Sequence, residues 1–314
     1  MTGRKQHLDG PAVLTLLTCC MVWGLGQVAS KATLAEVPPL LQAALRSFGA
    51  ALLVLLWARW RGIALFQRDG TAMAGLWAGL LFAIEFACIF SGLKFTTASR
   101  MVVFVYLAPF VVALGMPFIA RGERLNAVQA VGLVLAFSAV AWAFAEGFQR
   151  PSVGELQWVG DALGVAGAVF WGFTTLLIRA SGLSTAAPEK TLLYQLAVSG
   201  AALALASWLA GEPWPSRLSA GPLSWLAFQV VIVSFASYLL WFWLVRHYPA
   251  THLSAFTLLT PLFGLLAGVA LMADPLTARL LCALIGVSLG ILLVHGGSGL
   301  RAAIRTDRKA QGPG

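Results

Sequence analysis

Glu85 is an acid inside an otherwise apolar run, Leu76–Phe90. A carboxylate at such depth is costly unless it faces protein or water. Three roles fit it: holding the ammonium of a substrate, carrying a proton, or hydrogen-bonding to a neighbouring helix as a packing residue. Trp23 and Trp171 form a second group; both precede glycine and both lie deeper than the interfacial belt where tryptophan is commonest. An indole offers a broad apolar face and one N–H donor, which suits an apolar or aromatic side chain of a substrate; helix packing is the alternative. Gln27, one helical turn after Trp23, Tyr106, three residues before Pro109, and the adjacent Ser237 and Tyr238 complete the candidate lining. Ser237 follows Glu85 by the same 152 residues that separate Pro261 from Pro109, so the acid has no acidic counterpart there.

Pro109 and Pro261 are the candidate hinges. Each removes one backbone donor and frees the carbonyl four residues earlier, at Val105 and Thr257. Neighbouring helices or a cavity must then satisfy that carbonyl. Catalytic chemistry has less support. His7, His247, His252 and His295 form no ligand or general-base spacing with a nucleophile. Cys19, Cys20, Cys88 and Cys282 all fall in apolar segments and read as reduced, packed small hydrophobes. No metal and no cofactor is expected, and the sequence has no Walker motif to drive transport by ATP hydrolysis.

The elements that position these residues are membrane helices. Hydrophobic residues make up 59% of the chain and charged ones 11%, with a mean hydropathy of +0.84; a soluble domain carries about 25% charged residues. At about 20 apolar residues per crossing, ten spans are predicted: about 11–30, 40–58, 72–93, 101–119, 126–145, 159–178, 191–210, 222–245, 252–272 and 277–295. The first run has no convincing cleavage pattern and reads as a retained helix. Residues 297–314 read as a basic polar tail. Val22-Trp23-Gly24 with Lys31 returns as Phe170-Trp171-Gly172 with Arg179, and Lys94 through Pro109 returns as Arg246 through Pro261. Five spans per repeat invert the second half relative to the first. The expected fold is therefore all-α, with ten transmembrane helices as two inverted five-helix repeats over 11–145 and 159–296. Such duplication is usual in secondary transporters, whose site lies between the halves.

Basic residues accumulate in the connections holding Arg59, Arg61, Arg68, Arg121, Arg124, Lys190 and Arg246 and near both termini. That bias places both termini in the cytoplasm and accounts for much of the net charge of +9. Nucleic-acid binding needs a clustered basic face, which short loops do not supply.

Several of these residues also match a family. Trp23-Gly24 with Lys31, Pro39 with Arg46, Ala98-Ser99 through Pro109, and Gly122-Glu123-Arg124-Leu125 followed by Gly132 resemble the first EamA domain of the drug/metabolite transporter superfamily. Gly160-Asp161, Phe170-Trp171-Gly172, Ala250 through Pro261, and Asp274-Pro275-Leu276 with Gly290 resemble the second. Two departures stand out: Ala273-Asp274 replaces the family's usual Gly-Glu, and Tyr194 replaces the counterpart of Arg46. The resemblance implies movement of small metabolites across the bacterial inner membrane, by a monomer or homodimer whose partners are a small-molecule substrate and the lipid bilayer. Within the family the chain is most similar to YddG-type exporters of aromatic and other neutral amino acids. Other members of the superfamily carry sugars, nucleotide sugars, drugs and polyamines. A passive channel and, more remotely, a membrane enzyme are the readings from other classes.

Overall fold

A computed structural model describes residues 9–119, 127–149, 151–247, 257, 259–290 and 292–293. The tail at 297–314, the connection holding Arg121 and Arg124, and residues 248–256 lie outside the described residues. Among those described, every regular element is helical.

The first half comprises α1 (Gly10–Thr33), α2 (Pro39–Trp60), α3 (Ala72–Gly92), α4 (Ala98–Val105), α5 (Ala108–Ile119) and α6 (Ala127–Gln149). The second comprises α7 (Gln157–Ala180), α8 (Pro188–Leu209), α9 (Ala220–Phe228), a π-helical segment (Gln229–Ser237), α10 (Tyr238–His247), α11 (Leu259–Met272) and α12 (Ala278–Gly290). Among the described residues, seven helical stretches are long and apolar enough to cross a membrane, α4 and α5 counting as one broken span. Ala127–Ala143, α11 and α12 are shorter apolar helices.

Local chemistry sets the helix starts. The Asp9 carboxylate accepts from the Ala12 nitrogen at 3.1 Å and Pro11 sits in the first turn, so α1 begins there. Thr97 caps α4 in the same way, accepting from the Arg100 nitrogen at 3.1 Å. The span from Ala98 breaks at Tyr106–Leu107, just before Pro109, as expected where proline withholds a donor from the preceding turn. Pro261 lies in the first turn of described α11.

Two apolar cores result. One joins α2, α3 and α8; the other joins α4, α5, α6, α11 and α12; Trp171 packs against both. Helix crossings are close where glycine removes a side chain. A Cβ on Gly24 would come within 2.5 Å of the Gly264 nitrogen, so α1 and α11 meet backbone to backbone. Gly75 receives the Tyr194 ring, which makes the counterpart of Arg46 a packing residue in α8. Ala273, where the resemblance leads one to expect glycine, has φ 53°, a left-handed conformation that costs a non-glycine residue about 1 kcal/mol or more.

Neighbour relations run between the halves. α3 lies on α7 and α8; the π segment lies on α1 and α2; α1 lies on α11, and α7 on α4 and α5. Outward faces are apolar: Val131, Val134, Phe137 and Trp142 on α6 are exposed, as expected of surfaces that a bilayer covers.

Candidate functional site

Each expected residue is placed by its helix. Crossing Gly264 at Gly24 turns Trp23 toward the π segment, where its indole Nε1 donates to Ser237 Oγ at 2.8 Å. Ser237 Oγ donates in turn to the Val233 carbonyl at 2.5 Å, and Trp241 meets Trp23 edge-on at 5.4 Å. The π segment widens the helix by one residue per turn, a feature frequent at functional sites. It also brings Val230 against Gly49 of α2 and Val233 against Gly26 of α1.

Trp171 stands apart from Trp23, in α7. It meets Tyr106 edge-to-face at 5.7 Å, beside the break between α4 and α5. The Tyr106 phenol is buried and interacts electrostatically with Cys20 and Tyr238. Tyr238, the first residue after the π segment, links the aromatic pair to the charged group. Its phenol lies within electrostatic range of both the guanidinium of Arg46 and Glu85. Gln27 lies on the same helix as Trp23, and its Oε1 is buried without a partner among the described residues.

Glu85 is 4% exposed and Arg46 3% exposed. The guanidinium carbon of Arg46 lies 3.7 Å above the Phe86 ring, a cation–π contact next to Glu85 in sequence. Polar satisfaction nonetheless stops short. Among the described residues, Glu85 Oε2 and Arg46 Nε and Nη2 are buried with no hydrogen-bond partner. Arg46 is the residue that site reasoning from the sequence passed over; the available signal was a cation in the middle of span two.

A second charged cluster contrasts with this one. Arg100 Nε donates to Asp161 Oδ1 at 3.1 Å, Nη2 to Asp161 Oδ2 at 2.6 Å and to the Ala143 carbonyl at 2.6 Å, and Nη1 to Glu146 Oε2 at 3.1 Å. Thr96 Oγ1 donates to Asp161 and Thr277 Oγ1 to Glu146. Arg100 falls between the predicted spans 72–93 and 101–119, yet it is 2% exposed, because α6 and α7 close over it. Lys31, near the end of α1, donates to the carbonyls of Leu93 and Thr96 and ties α1 to the end of α3. The Ser99 nitrogen donates to Asp274 Oδ2 at 2.9 Å. All these bonds lie at the end of the bundle where α1, α3 and α6 finish.

The opposite end carries Lys190, which donates to Asp69 Oδ2 at 2.8 Å and to the Gln67 carbonyl at 2.7 Å. The Lys190 ammonium, helped by the Thr71 hydroxyl, holds the Asp69 carboxyl below the usual carboxylate range. The cross-half polar bonds are thus denser at the end holding Arg100.

Comparison with known proteins follows these observations. The family model for the EamA-like transporter family matches residues 10–145 and 158–296. The uncharacterized transporter YvbV of Bacillus subtilis (strain 168) is 27% identical over 98% of this chain and 99% of its own. The uncharacterized transporter sll0355 of Synechocystis is 28% identical over 83% of this chain and 82% of its own. A solved crystal structure superposes with a TM-score of 0.63 over 90% of this chain and 97% of that one, at 20% identity, a likeness of fold alone.

Proposed function

The chain belongs to the EamA-like transporter family and is a multi-pass membrane protein, helical in every regular element of its described residues, and from that premise we propose that it carries neutral and aromatic amino acids outward across the bacterial inner membrane by alternating access. The observation that carries this reading is the buried pair Glu85 and Arg46 beside the half-buried Tyr238, a group contributed by both halves in which Glu85 Oε2 and Arg46 Nε and Nη2 have no hydrogen-bond partner among the described residues. Polar groups at that depth are costly without a partner, and a polar substrate with an apolar side chain supplies one. Trp23 and Trp171 offer the apolar faces, and Ser237, Tyr106 and Gln27 the further polar lining.

The neighbour pattern supports inverted repeats. Exchanging α1 with α7, α2 with α8, α3 with α9 and the π segment, and α4–α5 with α11 turns each contact between those elements of the two halves into an observed contact, α2–α8 and α4–α11 mapping onto themselves. The α3–α7 pair becomes π segment–α1, and α1–α11 becomes α7–α4/α5. A pseudo-twofold axis of this kind lets one bundle rock against the other around a fixed site, with Pro109 and Pro261 as the hinges.

Counterflow tests the function. Liposomes holding purified protein and preloaded with unlabelled L-phenylalanine should transiently accumulate labelled L-phenylalanine above equilibrium. An overshoot only with sugars, spermidine or a cationic dye would replace the substrate class. Linear, non-saturating entry without overshoot would replace the carrier by a channel.

Orientation has its own test. In a cysteine-free background, Gln67→Cys should react with an impermeant thiol reagent only in inverted vesicles, and Glu155→Cys only from outside intact cells. Both side chains are exposed in connecting segments. Labelling of position 67 from outside would reverse the orientation.

A further inference from the structure

The protein contains its own template for how an arginine in this bundle holds a carboxylate. Arg100 grips Asp161 through Nε, which reaches Oδ1 at 3.1 Å and Oδ2 at 3.2 Å, and through Nη2, which donates to Oδ2 at 2.6 Å. Nε–H and one N–H of Nη2 point the same way along one edge of the planar guanidinium, and their spacing matches the two oxygens of a carboxylate. On Arg46 the two nitrogens of that same edge are the ones without an acceptor. The Phe86 ring covers one face of the guanidinium, and Tyr238 and Glu85 both lie within electrostatic range of it. Glu85 does not fill the edge: its Oε2 is equally without a partner.

Two opposite charges that are neighbours, both buried, and both incompletely bonded fit a ligand that carries both charges itself. We propose that Arg46 binds the carboxylate of a zwitterionic substrate through Nε and Nη2 while Glu85 receives its ammonium group, making the pair the determinant of selectivity for α-amino acids over amines and over simple carboxylates. The proposal rests on the transport reading above and narrows it. A substrate lacking the carboxylate leaves the arginine edge buried and unbonded, and one lacking the ammonium does the same to Glu85. Sites built to bond a polar group discriminate strongly against analogues without it. The second half has no equivalent pair, since Tyr194 and Ser237 stand at the corresponding positions, so the zwitterion would lie in one orientation.

Competition against labelled L-phenylalanine on purified protein tests this, with 2-phenylethylamine and 3-phenylpropionate as the analogues lacking one group each. In the unmodified protein, both analogues should compete at least about tenfold more weakly than L-phenylalanine. Arg46→Gln should weaken L-phenylalanine by about tenfold or more while leaving 2-phenylethylamine within about threefold, so that the preference disappears. Glu85→Gln should produce the mirror pattern, sparing 3-phenylpropionate. Arg46→Lys retains the charge without the fork and should retain a reduced carboxylate preference, which covers the case in which the glutamine variant does not fold. Equal competition by 2-phenylethylamine in the unmodified protein, or equal losses for all three ligands in folded Arg46→Gln, overturns the assignment while leaving amino-acid transport standing. Absence of any L-phenylalanine binding or counterflow by the unmodified protein removes the functional reading itself.

Discussion

Arg100→Ala will lower the stability of the fold by about 3–5 kcal/mol. The substitution strips the counter-charge from Asp161, which is fully buried, and from Glu146, and it leaves the Ala143 carbonyl without its donor. Breaking a buried ion pair from one side costs about 3–5 kcal/mol, because the remaining charge stays uncompensated. Thermal unfolding of the detergent-solubilised protein, followed by intrinsic fluorescence and by the fraction that remains monodisperse, reads the effect directly. Arg100→Met combined with Asp161→Leu and Glu146→Leu should recover much of the loss, since apolar replacement of a whole buried cluster is often neutral or stabilising. An Arg100→Ala protein that melts with the unmodified one would mean that Arg100 does not compensate these acids.

Glu85→Gln, by contrast, should spare the fold and remove most of the transport. Glutamine keeps the volume and one carbonyl oxygen but discards the charge, and no hydrogen bond to Oε2 is broken. Counterflow of L-phenylalanine should fall by about tenfold or more, equivalent to about 1.4 kcal/mol or more of lost interaction. The dependence of transport on pH should flatten as well, because a titrating group has left the site. Normal counterflow with an unchanged pH profile would make Glu85 a packing residue. The two experiments separate two kinds of buried charge. Around Arg100 every charged side chain is bonded, which is what rigid structure requires. Around Arg46 and Glu85 some polar atoms are left over, which is what a ligand requires.

Much of the architecture was legible from composition and length. A run of about 20 apolar residues has few alternatives to a membrane helix, so α1, α2, α3, α7 and α8 lie within a few residues of their expected spans. Proline chemistry is local, and the break before Pro109 follows from one missing donor. Glu85 was visible for the same reason: a charge in an apolar run is anomalous in one dimension. Its surroundings were not visible. Arg46, Glu85 and Tyr238 lie on three helices from two halves, and only packing brings them together.

Near the ends of spans, sequence position misleads. Arg100 and Lys31 sit where a cation ordinarily reaches the interface, yet Arg100 is enclosed by acids 46 and 61 residues away and Lys31 meets carbonyls more than 60 residues away. The π segment at Gln229–Ser237 is likewise absent from any hydrophobic pattern, because one residue added per turn leaves an apolar run apolar while it rotates Ser237 into reach of Trp23. Hydrophobicity by itself located the long apolar helices α1, α2, α3, α7 and α8 and showed which residue in an apolar run carries an isolated charge. Which buried charges are matched, and which keep unbonded atoms, was decided by tertiary packing, because hydrogen bonds depend on distances of a few ångströms between residues the sequence keeps far apart.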